Sequence, residues 1–136
     1  MFFQLKAGVE LLSFLKRRSR HLRVGKLGEK LAVRLLKFKK YDILLCNYDL
    51  PSGEIDIIAR DGAMLVFVEV KTRRYTTNAR PGEGLTYKQK QRIRRSGMHY
   101  LKEIHNPAVI YRFDLIEVVI GRYGFLKELR HWLNHF

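Results

Sequence analysis

Cysteine is nearly absent from the sequence, in which Cys46 is the only one among 136 residues. A single cysteine excludes an internal disulfide and any zinc site built from several cysteines, and such low usage is typical of a reducing compartment. We therefore expect a cytoplasmic protein in which Cys46 is a small apolar side chain buried in a strand.

Acidic residues are also scarce. The 13 Asp and Glu residues stand against 27 Lys and Arg, which gives a net charge of +14 and a pI near 10.2. This excess predicts a nucleic-acid partner, although a protein that binds a membrane surface would have a similar balance. The hydrophobic fraction of 46% indicates a folded chain rather than a disordered one.

The sequence contains no hydrophobic run long enough to span a membrane, so we expect no stable membrane insertion. Residues 1–24 form an apolar and then basic extension, which lacks the charge order and the cleavage site of a signal peptide. The spacing of Phe3, Ala7 and Phe14 predicts a short amphipathic helix. This helix either docks on a membrane surface or a partner, or packs on its own domain, which we favour. Residues 25–136 then form a single domain.

A Gly-rich phosphate loop and a GxSxG elbow are missing too, which argues against a nucleotide kinase or a serine hydrolase. The chain instead carries a conspicuous stretch from Gly53 to Arg74, with the sequence GEIDIIARDGAMLVFVEVKTRR. Two apolar runs in this stretch are separated by Asp-Gly, which predicts a β-hairpin. Acidic groups and a lysine interrupt these apolar runs, and they are the strongest functional signal in the sequence.

The predicted hairpin brings the charged residues of the two strands together. With the Asp-Gly pair as the two loop residues, Asp56 stands opposite Phe67 and Glu54 stands opposite Glu69. Asp56 is then diagonal to Glu69 on one face of the sheet, and Lys71 shares that face because strand side chains alternate. Glu54 is expected to be a bystander or an outer group of this site.

Two carboxylates at the end of a strand suit a hard cation such as Mg²⁺ or Mn²⁺, which prefers oxygen ligands and keeps several waters. A lysine two residues further on can polarise an attacking water or neutralise a phosphate. The pattern therefore predicts a hydrolytic site for phosphodiesters. The alternative is a surface hairpin whose charges are merely solvated.

Asp56 followed by Glu69-x-Lys71 resembles the motif of the PD-(D/E)XK nucleases. The longer segments GEIDIIARDG and LVFVEVKTRR resemble the YraN-type uncharacterised family, whose likeness to archaeal Holliday-junction resolvases has led to its description as predicted endonucleases. The resemblance covers about Gly25 to Phe136. It implies an α/β fold with a restriction-endonuclease-like core, and a Mg²⁺- or Mn²⁺-dependent endonuclease, a hydrolase that acts on DNA, including branched or structured DNA.

The resemblance also implies roles for single residues. Asp56 and Glu69 would hold the metal together with the carbonyl of Val70, and Lys71 would position or activate the water. Glu29 lies in a segment similar to the family's GxxGExxAxxxL, which makes it a further candidate ligand, with an exposed helix charge as the alternative.

Basic residues follow the candidate site along the chain. Two arginines come directly after it, and a basic helix is predicted from Thr86 to about Glu103. Because few acids lie nearby, we interpret these cations as a phosphate-binding surface rather than a solvated face. Thr86 is the expected N-cap, but no acid three residues later completes a capping box. The candidate nucleic-acid-binding residues are Arg73, Arg74, Lys88, Lys90, Arg92, Arg94 and Arg95.

The order of elements predicts a mixed central sheet flanked by helices. A helix from Gly25 is followed by a buried strand, the hairpin, the basic helix, another strand and a closing tail. The tail has apolar residues at roughly helical spacing and is expected to cover the sheet. Asp114 is interpreted as a structural hydrogen-bond acceptor, and His131 as a structural side chain. The buried strand is Tyr41–Tyr48, the later strand Val109–Ile120, and the tail Arg122–Phe136.

Two other functions stay open at this point. One is a non-catalytic nucleic-acid-binding protein that retains the nuclease fold. The other is an adaptor that docks on a membrane surface or a protein partner through its N-terminal helix. A homodimer would suit symmetric cutting of DNA.

Overall fold

The computed structural model describes residues 2–76 and 80–136, with side chains from residue 20 onward. Within these residues the chain forms two helices and five strands. In chain order they are α1 (Phe2–Phe38), β1 (Asp42–Leu50), β2 (Gly53–Asp61), β3 (Met64–Arg74), α2 (Tyr87–Ile104), β4 (Ile110–Ile120) and β5 (Leu126–Trp132).

The five strands make one mixed sheet in the order β1-β2-β3-β4-β5. Strands β3 and β4 are parallel, whereas the other three pairs of neighbours are antiparallel. Parallel neighbours need a crossover connection, and α2 supplies it between β3 and β4. The predicted α/β fold with a mixed central sheet is confirmed, and it is consistent with a restriction-endonuclease-like core.

Each face of the sheet carries its own hydrophobic core. On one face Ala32 and Leu36 of α1 pack with Val66, Val68 and other apolar strand residues. On the other face Ile93 of α2 packs with Phe67 and its neighbours. Both faces of β3 are therefore covered, which explains why its sequence is apolar without alternation.

Helix α2 has a more complete N-terminal cap than the sequence suggested. The Thr86 hydroxyl accepts a hydrogen bond from the backbone N–H of Gln89 at 3.2 Å, and the Gln89 side-chain oxygen accepts from the backbone N–H of Thr86 at 2.9 Å. The prediction that no capping box forms is wrong, because a glutamine amide satisfies the N-cap donor as a carboxylate does.

The predicted buried first strand is instead an exposed edge strand. Strand β1 has a neighbour on one side only, and Leu44, Leu45 and Cys46 are all exposed. The expectation of a buried Cys46 is therefore wrong. An apolar run indicates a strand, but it does not distinguish a central strand from an edge strand.

The tail with apolar residues at roughly helical spacing is not a helix, because residues Leu126–Trp132 form strand β5 along the free edge of β4. Its last part covers the sheet as expected, since Trp132 and Phe136 pack against the core beside α2. The register shifts between Val119, which pairs with Glu128, and Ile120, which pairs with Leu126. The extra residue, Lys127, interrupts the alternation of side chains along β5. In the sequence, Leu126 and Leu129 are three residues apart, which is a spacing typical of a helix.

Helix α1 continues through Gly25 without a break. The division into an extension, residues 1–24, and a domain, residues 25–136, is thus not marked by a change of secondary structure and stays a prediction. The expected amphipathic face of the extension involves side chains before residue 20, which lie outside the described residues. No helix in the described part of the chain is long and apolar enough to cross a membrane.

Asp114 is fully buried and accepts hydrogen bonds from three donors, which confirms its structural role. They are Arg112 Nε at 2.9 Å, His131 Nε2 at 2.8 Å and the backbone N–H of Asn134 at 2.8 Å. Burial alone would raise the pKa of Asp114, but these hydrogen bonds outweigh it and hold the pKa below its ordinary value. His131 is thereby confirmed as a structural side chain.

Two helical glycines give a matched test of this packing. A Cβ at Gly97 of α2 would stand 2.8 Å from Phe113 Cζ, whereas a Cβ at Gly25 of α1 would meet nothing within 4 Å. Alanine favours the helix by about 1 kcal/mol at either position, but overpacking at Gly97 costs about 1–3 kcal/mol. We expect Gly97→Ala to lower the Tm and Gly25→Ala to leave it unchanged or raise it. Thermal unfolding followed by circular dichroism measures both, and a higher Tm for Gly97→Ala would contradict the tight helix-to-sheet contact.

Candidate functional site

The hairpin that carries the candidate site has its turn one residue later than predicted. Asp61 pairs with Met64, so the two loop residues are Gly62 and Ala63, and Ile58 rather than Asp56 stands opposite Phe67. The predicted register is therefore wrong by two residues, but a shift of two keeps every side chain on its face.

Asp61 itself explains the later turn. It remains in strand β2, and its carboxylate accepts hydrogen bonds at 3.3 Å from two nitrogens of Arg112 in β4. This contact ties the end of the hairpin to the neighbouring part of the sheet. The left-handed conformation that the turn requires is supplied by Gly62, whose φ is 59°.

The sheet becomes irregular at Asp56. The ladder between β2 and β3 ends with the pair Ile57 and Val68, and Asp56 is the next residue. On the other side of β2, Asn47 faces this position with a φ of 54°. Ile57 packs in the core beside α1 but Ile55 packs in the core beside α2, so the alternation of β2 is broken here. Such irregularities are common next to active sites, where they redirect a side chain.

The irregularity brings Asp56 against β3. Its Oδ2 accepts a hydrogen bond from the backbone N–H of Val70 at 2.7 Å, and its carboxyl group lies close enough to that of Glu69 for its charge to raise the pKa of Glu69. Lys71 Nζ lies 3.9 Å from Glu69 Oε1. The structure thus brings together three residues that the sequence predicted to lie on one face.

Burial perturbs the pKa of both carboxyl groups, and the charge of Asp56 adds to the shift of Glu69. Burial, followed by the charge of Asp56, raises the pKa of Glu69 to about 8, although Lys71 opposes this shift. Burial also raises the pKa of Asp56, against the lowering effect of the hydrogen bond from Val70 N–H. Without another cation, the pair therefore retains a proton near neutral pH.

Glu29 reaches the neighbourhood of this pair from α1. Gly28 makes the approach possible, because a Cβ at that position would collide with Thr72 of β3. The pKa of Glu29 is raised by burial and then by the charges of Asp56 and Glu54. Glu54 is exposed. Partial burial of its carboxyl group, followed by the charge of Asp56, raises its pKa.

The donor atoms of the site fit a hard divalent cation. Two buried carboxyl groups in contact are unfavourable unless a proton or a cation lies between them, and Mg²⁺ commonly takes one or two carboxylates while keeping several waters. Within residues 2–76 and 80–136, however, no group of three or more His, Cys, Asp or Glu side chains is close enough to hold a metal ion. Asp56 and Glu69 fit as the protein carboxylates. The roles of Glu29 and the Val70 carbonyl as ligands stay predictions.

The predicted phosphate-binding residues differ in how exposed their side chains are and in whether they already contact an acid. Arg73 is largely buried and points to Glu117, with 3.9 Å between its NH2 and Oε1 of that residue. Arg92 lines a small pocket together with Glu54 and Glu69, so it adjoins the candidate site. Lys90 is half-buried. The exposed members of the set are Arg74, Lys88, Arg92, Arg94 and Arg95.

Glu117 is a residue of the site that the sequence did not single out. It is fully buried and stands beside Lys71 in the register of β3 and β4. Its carboxylate accepts hydrogen bonds from the backbone N–H of Gly82 at 2.8 Å and from Trp132 Nε1 at 3.1 Å. Glu117 thus fixes the segment before α2 beside Lys71. The signal was an acid inside the apolar run of β4, the same pattern that identified Glu69 in β3.

Comparison with known proteins places the chain in a family. The model of a family described as uncharacterised protein family UPF0102 matches residues 28–118. A UPF0102 protein of Symbiobacterium thermophilum is 43% identical over 105 residues, which cover 77% of this chain and 89% of the relative. A UPF0102 protein of Alkaliphilus oremlandii is 44% identical over 115 residues, which cover 83% and 93%.

A third relative, a UPF0102 protein of Alkaliphilus metalliredigens, is 37% identical over 112 residues, which cover 82% of this chain and 95% of the relative. These matches confirm the predicted YraN-type family and are compatible with the nuclease resemblance. The chain belongs to the uncharacterised protein family UPF0102.

Proposed function

We propose that this protein is a Mg²⁺- or Mn²⁺-dependent endonuclease that hydrolyses phosphodiester bonds in DNA, with branched or structured DNA among its substrates. The observation that carries the proposal is the close approach of the largely buried carboxyl groups of Asp56 and Glu69, with Lys71 Nζ 3.9 Å from the latter. Perturbed carboxyl groups that lie together beside a lysine are typical of catalytic sites.

Each residue of the site has a distinct task. Asp56 and Glu69 would hold the ion, and the hydrogen bond from Val70 N–H fixes the Asp56 carboxylate in place. A divalent ion at these residues would supply a lowered pKa of the attacking water and positive charge to offset the transition state. Lys71 orients that water and contributes a second positive charge to the pentavalent phosphate.

The surrounding cations position the substrate. Arg92 of α2 borders the pocket that contains Glu69, and Arg74 is exposed at the end of β3. Contacts from such residues to phosphates fix the register of the DNA without reading its sequence. The net charge of +14 favours rapid, salt-sensitive association with a polyanion. A cytoplasmic location and a homodimer stay predictions.

Cleavage assays test the proposal directly. We expect the purified protein to cut DNA in Mg²⁺ or Mn²⁺, and we expect Asp56→Asn, Glu69→Gln and Lys71→Gln each to lower the rate by at least about 10²-fold, since each removes a group that stabilises the transition state. The substrates are single-stranded, duplex and four-way-junction DNA, and cleavage is followed on denaturing gels.

Asp42→Asn is the matched control, because the side chain of Asp42 is 66% exposed and pairs with Arg60 at the outer edge of the sheet. This variant should cut like the wild type. Cleavage that persists in all three site variants would refute the assignment of the site. DNA binding without cleavage in any metal would favour the non-catalytic nucleic-acid-binding alternative.

The close approach of Asp56 and Glu69 should make the thermal stability of the protein depend on pH and on added metal. Because the folded-state pKa of Glu69 is raised from 4.5 to about 8, folding retains a proton that the unfolded chain releases, so stability falls as pH rises from 4.5 towards 8. Glu69→Gln removes this repulsion. In EDTA at pH above 8 we therefore expect Glu69→Gln to raise the Tm, by roughly 3–5 °C for each 1 kcal/mol gained.

Added Mn²⁺ should reverse this order, so that the Tm of the wild type exceeds that of Glu69→Gln, since Mn²⁺ stabilises only a chain that binds it. The wild type should gain thermal stability with Mn²⁺, whereas Glu69→Gln should gain little. Glu83→Gln, in which an exposed carboxyl is changed, serves as the control and should behave like the wild type. A wild type that is insensitive to Mn²⁺ and more stable than Glu69→Gln in EDTA would contradict the proposed ion site.

A further inference from the structure

A groove of about 870 Å³ runs between α1 and the strands β1 and β2. One wall is α1, whose residues Lys26, Lys30, Arg34 and Lys37 line the groove and are exposed. Within the described part of the chain, none of these four side chains forms a salt bridge with a carboxylate. We call this space the α1 groove.

The cations of the α1 groove form a row. Lys26, Lys30 and Arg34 are each four residues apart, so they lie on one face of the helix with a rise of about 6 Å from one to the next. A row of unpaired cations with this repeat suits the successive phosphates of a nucleic-acid strand. It does not suit a single small anion, for which one or two cations would be enough.

The same groove opens onto the candidate metal centre. Its opposite wall includes Glu54 and Asp56 of β2, and Glu29 of α1 also lines the groove. Lys26 is close enough to Glu29 to oppose the upward shift of its pKa, whereas Asp56 adds to that shift. A strand held along the lysines would therefore pass directly beside Asp56.

Apolar side chains also line the groove. They are Leu22 and Val33 of α1 and Ile57 of β2. A single strand presents both phosphates and the apolar faces of unpaired bases, and an apolar surface beside a cationic row accepts both. A duplex presents mainly phosphates and sugars, and a space of this volume is of the size that encloses a ligand of a few nucleotides.

We propose that the α1 groove binds a short single-stranded segment of DNA and leads its phosphate backbone to Asp56 and Glu69. The inference rests on the proposed nuclease function and adds to it a substrate class, DNA that is unpaired next to the bond that is cut. Helix α2, with Arg92, lies on the other face of the sheet and contacts the remainder of the substrate.

Cys46 makes the groove directly observable. It is the only cysteine in the chain, it is exposed, and it lines the α1 groove. In EDTA, where no cleavage occurs, the rate at which N-ethylmaleimide alkylates Cys46 is measured by mass spectrometry with and without DNA. A single-stranded oligonucleotide at about ten times its Kd leaves about one tenth of the grooves free, so the rate should fall about tenfold. A blunt duplex at equal occupancy should protect Cys46 much less.

Two double variants of equal charge complete the test. Lys30→Gln with Arg34→Gln changes the groove, whereas Lys40→Gln with Arg122→Gln removes the same charge from exposed residues that do not line it. The groove variant should lower the dependence of log K on log salt by about 1.4 for single-stranded DNA, since each lost phosphate contact contributes about 0.7. Fluorescence anisotropy in EDTA measures this slope, and the control should retain that of the wild type.

The result separates the two proposals. If single-stranded DNA binds but leaves the alkylation rate of Cys46 unchanged, or if the duplex protects it equally, the inference is wrong. Equal salt slopes for the two double variants would overturn it as well. None of these outcomes bears on cleavage in Mn²⁺, which decides the nuclease proposal separately and without reference to the groove.

Discussion

The contact between the carboxyl groups of Asp56 and Glu69 is the constraint to which the surrounding structure is adapted. Two buried acids destabilise a fold unless a proton or a cation lies between them, so this contact persists only because its neighbours hold both groups in position. Val70 N–H anchors one carboxylate, and Lys71 lies beside the other. The regular pairing of β2 with β3 ends at this point, since the last pair is Ile57 with Val68 and Asp56 lies outside it.

The rest of the fold supplies the support for that contact from both faces of the sheet. Gly28 allows α1 to approach β3, and Gly97 allows α2 to lie against the ring of Phe113. Behind the site, Glu117 fixes the segment before α2 by accepting from Gly82 N–H. Both acids are therefore held in a sheet that is covered on its two faces, which limits how far either carboxyl group can move from the other.

Part of the site could be predicted from the sequence because the face of a strand residue depends on whether the separation between residues is odd or even. The predicted turn was misplaced, but the error in register was two residues, so the side chains keep their predicted faces as far as Ile57. The approach of Asp56 to Glu69 depends in addition on the irregularity of β2, which alternation does not predict. Elements at the sheet edges were less predictable. The bulge at Lys127 gave β5 a helical spacing, and the apolar run of β1 concealed the exposure of Cys46. In both cases the deciding factor was the presence or absence of a neighbouring strand, which no local pattern records.

The α1 groove was hidden from the sequence for a related reason. Its cations on α1 and the acids Glu54 and Asp56 on β2 are far apart along the chain, and the row from Lys26 to Lys37 resembles the solvated face of any basic helix. Only the fold reveals that this face borders Asp56. The basic residues are consequently divided between two surfaces on opposite faces of the sheet, and the carboxyl pair lies between them. Under the proposed function, a strand that joined the two surfaces would cross the sheet where β2 leaves β3, and the proposed ion at Asp56 and Glu69 would meet its phosphate there.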